Sequence, residues 1–223
     1  MKNNKRLNEL ILNPPSGFRV VPSPRMYIDA GNHPTSRENY ECIFISEILS
    51  KLNPQKVLDI GSYRQFVIGL MARFQVTILD IRKITDPILN NETRIITDAK
   101  NIPEKDNEFD VVISTCALEH FGLGRYGDEF DLQADRRAMK EILRVLKPKG
   151  SLLFTTTITG GSPAICFNAH RIYNYKMIKE FSSGFFIKQE QIYNNYGKCF
   201  LPVEEADKTN DNYEFYCGYW EKI

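Results

Sequence analysis

A short apolar run that ends at a glycine, residues 56–61, constrains the fold more than any other stretch of the chain. It reads KVLDIG, and Asp59 interrupts its apolar residues just before Gly61 closes it. Large apolar residues then recur at helical spacing from Phe66 to Phe74, which predicts a helix directly after the run. A buried strand that turns at a glycine into a helix is the first unit of a nucleotide-binding βαβ fold.

Asp59 and Gly61 both bear on whether a ligand binds at the end of this strand. Gly61 lets the chain turn and lets a ligand approach bare backbone. A carboxylate within a buried strand is costly unless it has a partner. Asp59 therefore either caps the next helix or pairs with a neighbour, or it faces a ligand.

The rest of the chain continues the alternation of strand and helix. Capping-box spacing from Thr35 to Glu38 and a helical apolar pattern as far as Asn53 predict a helix before the first strand. Further strands are predicted at 75–80, 93–97, 109–115, 151–155, 185–193 and 213–220. Further helices are predicted at 134–146, where residues 147–150 stop the helix, and over the pattern of Ile172, Tyr175, Ile178 and Phe181. This order predicts an α/β fold with a Rossmann-like, seven-stranded, doubly wound sheet, mostly parallel and ending in an antiparallel C-terminal strand pair.

The first 34 residues form a separate segment in this interpretation. They contain Pro14, Pro15, Pro22, Pro24 and Pro34. Proline at this density favours extended chain, so the segment is either a flap over the open face of the domain or a tethered arm. We therefore divide the chain into an N-terminal extension or flap, residues 1–34, and a single domain, residues 35–223, long enough for one sizeable core.

Composition argues against several classes of protein. The 223 residues carry 29 basic and 28 acidic side chains, a formal net charge of +1, which gives no global attraction to nucleic acid or to an anionic membrane. The 5 cysteines include no C-x-x-C pair, which indicates neither a disulfide framework nor a zinc site. No apolar run approaches the roughly 20 residues of a membrane span. We expect a soluble cytoplasmic protein without a metal, and composition leaves its oligomeric state open.

Two cofactors compete for a βαβ fold of this kind, a dinucleotide and S-adenosylmethionine. A dinucleotide loop reads G-x-G-x-x-G, because its glycines let the pyrophosphate meet bare backbone. Tyr63 and Phe66 stand where the second and third glycines would be, which disfavours a dinucleotide. S-adenosylmethionine has no phosphate, and its sulfonium and amino group suit an acid such as Asp59. Asp80 follows Gly61 by about 20 residues, the spacing at which such folds present an acid to ribose hydroxyls.

Five segments in order resemble the motifs of class I S-adenosylmethionine-dependent methyltransferases. They are VLDIGS (57–62), ILD (78–80), TDAKNIP (97–103), FDVVISTCALEH (109–120) and EILRVLKPKGSLLFTT (141–156). Each motif alone is weakly specific, but the ordered series is specific, and the late pair of strands fits the same family. Two further segments, HFGLGRYGD (120–128) and FNAHRIY (167–173), resemble a little-characterised branch of these methyltransferases that is often met in surface-glycan gene clusters.

The resemblance implies S-adenosylmethionine as the cofactor and assigns residues to its binding. These residues are Asp59, Gly61, Ser62, Tyr63, Asp80, Ile81, Asp98, Ala99 and Cys116. Asp80 would accept hydrogen bonds from the ribose diol, and Asp98 would meet the adenine amino group. Charge-assisted bonds of this kind contribute about 1.5–3 kcal/mol each. The chain departs from the family at residues 61–63, which read GSY where G-x-G is common.

Methyl transfer to a hydroxyl needs a group that removes the acceptor's proton. Histidine is the usual agent because its pKa lies near neutrality, and the chain has 3 histidines. His120 follows the fourth predicted strand and His170 follows the fifth, so both fall at the carboxyl edge of the sheet, where open α/β folds bind ligands. The alternative for His120 and for His170 is a structural or surface role. His33, in the N-terminal segment, is less favoured as the base.

Arg125, Arg171 and Tyr126 complete the candidate catalytic residues. Arg125 lies among glycines and would close on phosphate, which arginine holds in a bidentate way. The predicted partner is therefore a small-molecule acceptor, nucleotide-linked or phosphorylated in this interpretation. Arg171 flanks the same edge, and Tyr126 would stack on a sugar ring; a solvated arginine and a packed tyrosine are the alternatives. The acids at 128, 129 and 131 are interpreted as a solvated loop rather than a metal site.

The sequence therefore predicts an enzyme that transfers a methyl group from S-adenosylmethionine to a hydroxyl. The acceptor would be a sugar, a sugar nucleotide or a related small molecule in surface-polysaccharide biosynthesis, which only the resemblance to the glycan-cluster branch indicates. Two alternatives stay open, a non-catalytic cofactor-binding or scaffold protein with this fold and a small-molecule N-methyltransferase. Nucleic-acid methylation is disfavoured by the near-neutral charge and the lack of a basic stripe.

Overall fold

The computed structural model describes residues 8–9, 11–14, 16, 36–194, 196, 198–208 and 213–223. The chain divides into two units between Thr35 and Ser36. In the first unit the described residues include helical positions at 8–9 and 11–12. The predicted flap over residues 1–34, with His33, lies almost entirely outside the described residues, so it stays a prediction. The second unit carries the sheet and the candidate site.

Helices and strands alternate along the second unit much as the sequence predicts. The helices are α1 (Arg37–Leu52), α2 (Arg64–Leu70), α3 (Ala134–Val145) and α4 (Tyr175–Phe181). The strands are β1 (Lys56–Ile60), β2 (Gln75–Asp80), β3 (Glu92–Ile96), β4 (Phe109–Thr115), β5 (Leu146–Thr159), β6 (Ala164–Cys166), β7 (His170–Asn174), β8 (Phe185–Asn194), β9 (Cys199–Leu201) and β10 (Glu214–Lys222). Short 3₁₀ turns lie at Leu118–His120 and Val203–Glu205. None of the helices in the described residues is long and apolar enough to cross a membrane.

The strands form one mixed sheet in the order β3-β2-β1-β4-β5-β10-β8-β9. β3, β2, β1, β4 and β5 pair in parallel, whereas β10 is antiparallel to both β5 and β8. The predicted parallel centre and antiparallel C-terminal strands are therefore confirmed. The predicted number of seven strands is wrong, because the sheet built by the described residues has 10 strands. The additional strands β6, β7 and β9 have 3 to 5 residues each, too short for a clear periodic signal.

The N-cap of α1 is Ser36, one residue later than the predicted cap Thr35. The capping box joins Ser36 to Asn39, since the backbone N–H of Ser36 donates to Oδ1 of Asn39 at 2.8 Å. Asn53 ends the helix in the left-handed conformation, with φ of 47°. Its buried face includes Phe44 and Ile48, which pack against the sheet.

Two predicted elements after α3 differ in the structure. Residues 147–150 end α3, as predicted, but they also form a bulge inside β5, where the register with β4 shifts. The helix predicted from Ile172 is instead the strand β7 followed by α4, which Asn174 caps by accepting from the N–H of Met177 at 3.0 Å. Three of the four residues in the predicted pattern thus lie in a helix, and pairing of β7 with the end of β5 selects the strand before it.

Apolar layers cover both faces of the sheet, as a doubly wound fold requires. One layer includes Ala138, Met139 and Ile142 of α3, Ile178 and Phe181 of α4, and Tyr216 and Trp220 of β10. The other includes Phe44, Ile45, Ile48 and Leu49 of α1 and Val67 and Leu70 of α2. Because the two faces are closed by helices, the carboxyl edge of the parallel strands is where a ligand can reach the sheet.

Candidate active site

The carboxyl ends of β1, β2 and β4 border two adjoining cavities. The larger has a volume of about 840 Å³ and the smaller a volume of about 60 Å³. Both are lined by Gly61, Asp80, Arg82, Cys116, His120 and Tyr126. These shared residues join the two cavities into one candidate site.

Every residue that the sequence assigns to cofactor binding lines one cavity or the other. The larger cavity is lined by Asp59, Gly61, Ser62, Tyr63, Asp80 and Cys116. The smaller cavity is lined by Gly61, Asp80, Ile81, Asp98, Ala99 and Cys116. The acids after β2 and β3 thus flank the smaller cavity, whereas the acid within β1 faces the larger one. Their roles toward a cofactor stay predictions.

Asp59 is a buried carboxylate with an unused oxygen. The residue is 1% exposed, and its Oδ1 atom has no hydrogen-bond partner among the residues that the structure describes. Burial raises the pKa of Asp59 to about 7, although hydrogen bonds with Ser62 oppose the shift. A carboxylate oxygen without a partner at a cavity wall suits a positively charged group, which the sulfonium and amino group of S-adenosylmethionine both provide.

Gly61 keeps the chain close-packed at this turn. Its φ of +68° lies in the left-handed region that favours glycine, and a Cβ atom there would lie 3.0 Å from the Cβ of Ala117. The next residue, Ser62, accepts a hydrogen bond on Oγ from the N–H of Thr115 at 3.0 Å, which ties the loop to β4. Asp59 can bind a positively charged group, and Gly61 beside it leaves the backbone accessible. Both features fit S-adenosylmethionine, although residues 61–63 read GSY where G-x-G is common.

The carboxylate of Asp80, which is the predicted ribose ligand, is bound by Arg82 in this structure. Asp80 accepts from the backbone N–H of Arg82 at 2.8 Å, from its Nε at 2.9 Å and from its Nη2 at 2.7 Å. The guanidinium also lies 4.4 Å from the ring centre of Tyr126. Since the Arg82 side chain is 53% exposed, it can move away from Asp80 without displacing packed residues. A ribose diol at Asp80 would share or replace these side-chain bonds.

Cys116 and Tyr63 both bind a buried acid from α1 that the sequence analysis missed. Glu41 is fully buried; its Oε2 accepts from the hydroxyl of Tyr63 at 3.0 Å and its Oε1 from the thiol of Cys116 at 3.2 Å. Burial raises the pKa of Cys116 well above its usual value, so the thiol stays protonated. Cys116 is therefore an inert wall of the site rather than a nucleophile.

His120 has one ring nitrogen engaged and one directed at an acid. Its Nδ1 lies 2.6 Å from the carbonyl oxygen of Ala169, and Nη1 of Arg125 lies 3.2 Å from the same oxygen. A carbonyl only accepts, so the hydrogen of His120 sits on Nδ1 and Nε2 keeps its lone pair. Burial, together with the nearby charge of Arg125, lowers the pKa of His120 to about 4. The imidazole is therefore neutral at neutral pH.

Glu119 is the acid that faces His120. Its Oε1 lies 4.0 Å from Nε2 of His120, and its Oε2 accepts from the hydroxyl of Thr156 at 2.9 Å. The residue is 2% exposed and lines the larger cavity. Burial raises the pKa of Glu119 to about 7. The sequence analysis missed this residue, and its only signal was its position beside a candidate histidine after β4.

His170, Arg125 and Tyr126 join His120 at the larger cavity, as predicted for one shared edge. The ring of His170 lies 6.2 Å from that of His120 and 5.1 Å from that of Tyr213. The ring of Tyr126 meets His120 edge-on at 5.6 Å. Nε2 of His170 is buried and has no partner among the described residues.

Arg171 does not line either cavity. The residue is 5% exposed, its Nη1 donates to the carbonyl of Phe121 at 2.6 Å, and its Nε lies 3.5 Å from Oδ2 of Asp135. The expectation that it flanks an acceptor does not match this position. Because β7 alternates its side chains, His170 points to the cavity edge while the next residue is buried under the loop that follows β4.

The acidic run of the same loop stabilises turns. Asp128 accepts from the N–H groups of Gly124 and Tyr126 at 3.2 and 3.1 Å. Asp131 lies 3.5 Å from the ammonium of Lys100. Within the described residues, no group of three or more His, Cys, Asp or Glu side chains could hold a metal ion.

Solved structures share this fold. The [4+2]-cyclase SpnF superposes with a TM-score of 0.62 at 16% identity, covering 88% of this chain and 85% of that one. The 1,6-didemethyltoxoflavin-N1-methyltransferase of Burkholderia thailandensis, solved with S-adenosylhomocysteine, gives 0.56 at 14% identity over 89% and 98%. N-methyltransferase NodS of Bradyrhizobium japonicum, also with S-adenosylhomocysteine, gives 0.54 at 12% identity over 82% and 86%. The chain has the class I fold of S-adenosylmethionine-dependent methyltransferases.

Residues 75–196 match the family described as Caenorhabditis protein of unknown function, DUF268. The match covers more than half of the chain, which therefore belongs to this family.

Two curated relatives are methyltransferases by name. Demethylmenaquinone methyltransferase of Thermotoga maritima is 32% identical over 117 residues, which are 49% of this chain and 46% of the relative. Glycine/sarcosine/dimethylglycine N-methyltransferase of Actinopolyspora halophila is 32% identical over 121 residues, 48% of this chain and 19% of the relative. The matched region thus spans less than half the length of either relative.

Proposed function

We propose that this protein transfers a methyl group from S-adenosylmethionine to a hydroxyl of a small molecule. The observation that carries the proposal is the buried Asp59, which lines the larger cavity beside Gly61 and has an oxygen without a partner among the described residues. When bound, S-adenosylmethionine supplies an activated methyl group and its own leaving group. Asp59 would hold its positive groups, Asp80 its ribose and Asp98 its adenine.

The other residues of the site would position the acceptor and take its proton. The lone pair on Nε2 of His120 is free to accept the hydroxyl proton because Nδ1 is bound to Ala169. Glu119, 4.0 Å from Nε2, would stabilise the resulting imidazolium when it is ionised. The chain thereby aligns the acceptor oxygen and removes its proton, which is most of what a methyltransferase needs from its protein.

The proposed acceptor is a sugar or sugar nucleotide used in surface-polysaccharide synthesis in the cytoplasm. Its support is the resemblance of residues 120–128 and 167–173 to the glycan-cluster branch of methyltransferases. Both segments contribute to the larger cavity, through His120, Arg125, Tyr126 and His170. The acceptor would therefore contact the residues that carry the resemblance.

A second candidate is methyl transfer to an amine of a small molecule. One curated relative and two of the similar structures are N-methyltransferases by name. The ionised form of Glu119 in the cavity wall would also accept the proton that a cationic amine must lose before its nitrogen attacks the methyl group. The two candidates predict different products, an O-methyl or an N-methyl compound, which fragmentation in mass spectrometry distinguishes.

Calorimetry of the full chain with S-adenosylhomocysteine tests cofactor binding. We expect saturable binding that Asp80→Ala weakens by about 10–100-fold, as the loss of one charge-assisted hydrogen bond predicts. Asp106→Asn is the matched control, since this exposed carboxylate pairs with Arg144 away from both cavities. No binding by the unmodified chain, or equal weakening by both substitutions, would count against the proposal.

Turnover is tested separately, with labelled S-adenosylmethionine and a pool of glycan intermediates. We expect the label in one component, with the mass gain of a single methyl group. Cofactor binding without transfer to any component would favour the alternative of a non-catalytic cofactor-binding protein.

A further inference from the structure

Basic side chains from three elements line the larger cavity. Arg37 comes from the first turn of α1, Arg125 from the loop after β4 and His170 from the first position of β7. Asp59 and Asp80 line the same cavity, so it is lined by charges of both signs.

Arg125 has no acidic partner among the described residues. Its Nη1 donates to the carbonyl oxygen of Ala169 at 3.2 Å and lies 3.2 Å from Nδ1 of His120, and its guanidinium lies 5.2 Å from the ring centre of Tyr126. The residue is exposed. A guanidinium has five N–H donors, so most of those on Arg125 are available to a ligand.

Arg37, from α1, contributes a second guanidinium to the lining of the cavity. Its Nε binds Oε1 of Glu38 at 3.0 Å, and the group lies 4.3 Å from the ring centre of Phe215. This pair fixes one edge of the guanidinium. Its other nitrogens are free of side-chain hydrogen bonds in the described residues and remain available at the cavity wall.

The two arginines and the two histidines line one cavity. After burial, the charges of Arg125 and Arg37 are what lower the pKa of His170. The same two charges contribute to the lowered pKa of His120. These four groups would favour a negative charge between them.

The nearby acids do not supply that charge in full. Glu41 and Glu119 are both buried beneath this end of the cavity, and burial raises the pKa of each. A raised pKa reduces the negative charge that a carboxyl carries near neutrality. Nε2 of His170 is buried and has no partner among the described residues, so a hydrogen-bonding group is missing at this place as well.

We infer that the acceptor carries an anionic group, a phosphoryl or a carboxylate, which Arg37, Arg125 and His170 bind together. This rests on the proposed function and narrows the class of its acceptor. Guanidinium groups bind oxyanions through paired N–H donors, and here they come from two walls so that the anion lies between them. The ring of His120 lies 6.2 Å from that of His170, so the reacting hydroxyl and the anion would be near neighbours on the acceptor.

Nuclear magnetic resonance of the histidine rings tests this site directly, because the chain has only 3 histidines. The full chain, saturated with S-adenosylhomocysteine, is titrated with inorganic phosphate and in a second arm with acetate. Ionic strength is held constant with sodium chloride. We expect a saturable shift of the His170 ring signals in at least one arm. We expect Arg125→Gln and Arg37→Gln each to weaken the apparent affinity at least about tenfold, as loss of a charged hydrogen bond predicts.

Arg136→Gln is the control, since that arginine pairs with Glu180 and does not line the larger cavity. Tighter phosphate binding would assign a phosphorylated acceptor, and tighter acetate binding a carboxylate. The inference is overturned if neither anion shifts His170 saturably, or if Arg136→Gln weakens binding as much as Arg125→Gln. Binding of S-adenosylhomocysteine is measured in the same samples, so failure of the anion site and failure of the proposed function give different results.

Discussion

In the proposed cofactor site, Asp59 would make cofactor affinity depend on pH. Burial raises its pKa to about 7, so below that pH the carboxyl is mostly protonated and must lose its proton to bind a cation. We expect affinity for S-adenosylhomocysteine to rise between about pH 5.5 and about pH 7, by up to about tenfold per pH unit, and then to level off. Calorimetry in buffers of different ionisation enthalpy should detect the released proton. An affinity that is flat over this range would contradict the assignment.

The same residue should oppose stability. A folded-state pKa above the unfolded value means that the free energy of unfolding declines as pH rises from about 4 to about 7. Asp59→Asn removes this buried charge, so we expect the variant to unfold at higher urea concentration than the unmodified chain at about pH 8. It should also bind S-adenosylhomocysteine more weakly and with little dependence on pH. Lower stability of Asp59→Asn at that pH would show that the carboxylate is already well compensated.

Glu119 and His120 should affect turnover more than cofactor binding. His120→Ala removes the proposed base, and general-base catalysis contributes typically about 10²–10⁴-fold to the rate. Burial raises the pKa of Glu119 to about 7, so we expect turnover of the unmodified chain to rise with pH through that value. Glu119→Gln removes this carboxylate, and the rise should disappear. The pH profile of kcat and the affinity for S-adenosylhomocysteine are the two measurements. Full turnover in both variants would exclude the pair.

At the scale of elements, β7 carries a residue that holds the site's loop in place. Arg171 donates to the carbonyl of Phe121, approaches those of Asp131 and Leu132, and pairs with Asp135, all under the loop after β4. We expect Arg171→Ala to lower the free energy of unfolding by about 3–5 kcal/mol, the usual effect of leaving one buried charge without its partner. Urea unfolding measures this.

Hydrogen exchange distinguishes the role of Arg171 from a general loss of stability. Amide protection in residues 119–132 should fall further than protection in β1 and β4, which do not contact the arginine. Arg136→Gln, which breaks an exposed pair with Glu180, should change neither quantity appreciably. Retained protection of the loop in Arg171→Ala would mean that other contacts hold it.

Sequence alone predicts the bounds of those elements that are determined by the local pattern of apolar residues and turn residues. β2 and β4 appear at their predicted bounds, and β1 at 56–60, because each is an apolar run with a turn signal at its end. The helix predicted from Ile172 is confirmed only over Tyr175–Phe181, because His170–Asn174 forms the strand β7. Pairing between Ile158 of β5 and Tyr173 of β7 selects the strand, and that contact is not encoded in local pattern.

The candidate site divides in the same way. The proposed cofactor residues follow strand ends, so topology alone brings them to one edge of the sheet. Arg37 and Glu41 belong to α1, which precedes β1, and only the packing of that helix brings them to the cavity. Arg171 appeared equivalent to its neighbour His170 because sequence does not reveal which side of a strand faces the core.

At the scale of the whole molecule, the net charge of +1 conceals a cavity that is lined by many charges of both signs. Asp59 and Asp80 line it from β1 and β2, whereas Arg37 and Arg125 line it from α1 and from the loop after β4. A charge balance near zero therefore argues only against long-range attraction to a polyanion. It does not bear on a small acceptor that carries one anionic group, since that ligand responds to the charges within the cavity.

The sheet should unfold as one unit because its last strand lies in its interior. β10 lies between β5 and β8 and holds the chain's only tryptophan, Trp220, which is fully buried and donates to the hydroxyl of Tyr216 at 3.0 Å. We expect urea unfolding curves from Trp220 fluorescence and from far-ultraviolet circular dichroism to coincide, as two-state behaviour requires.

S-adenosylhomocysteine, which would bind at the distant edge beside β1 and β2, should shift both unfolding curves equally. At a free concentration of about 100 times its Kd, the shift in free energy of unfolding should be about 2.7 kcal/mol. A shift in the circular dichroism curve without one in the Trp220 curve would mean that the parallel and antiparallel parts of the sheet unfold separately.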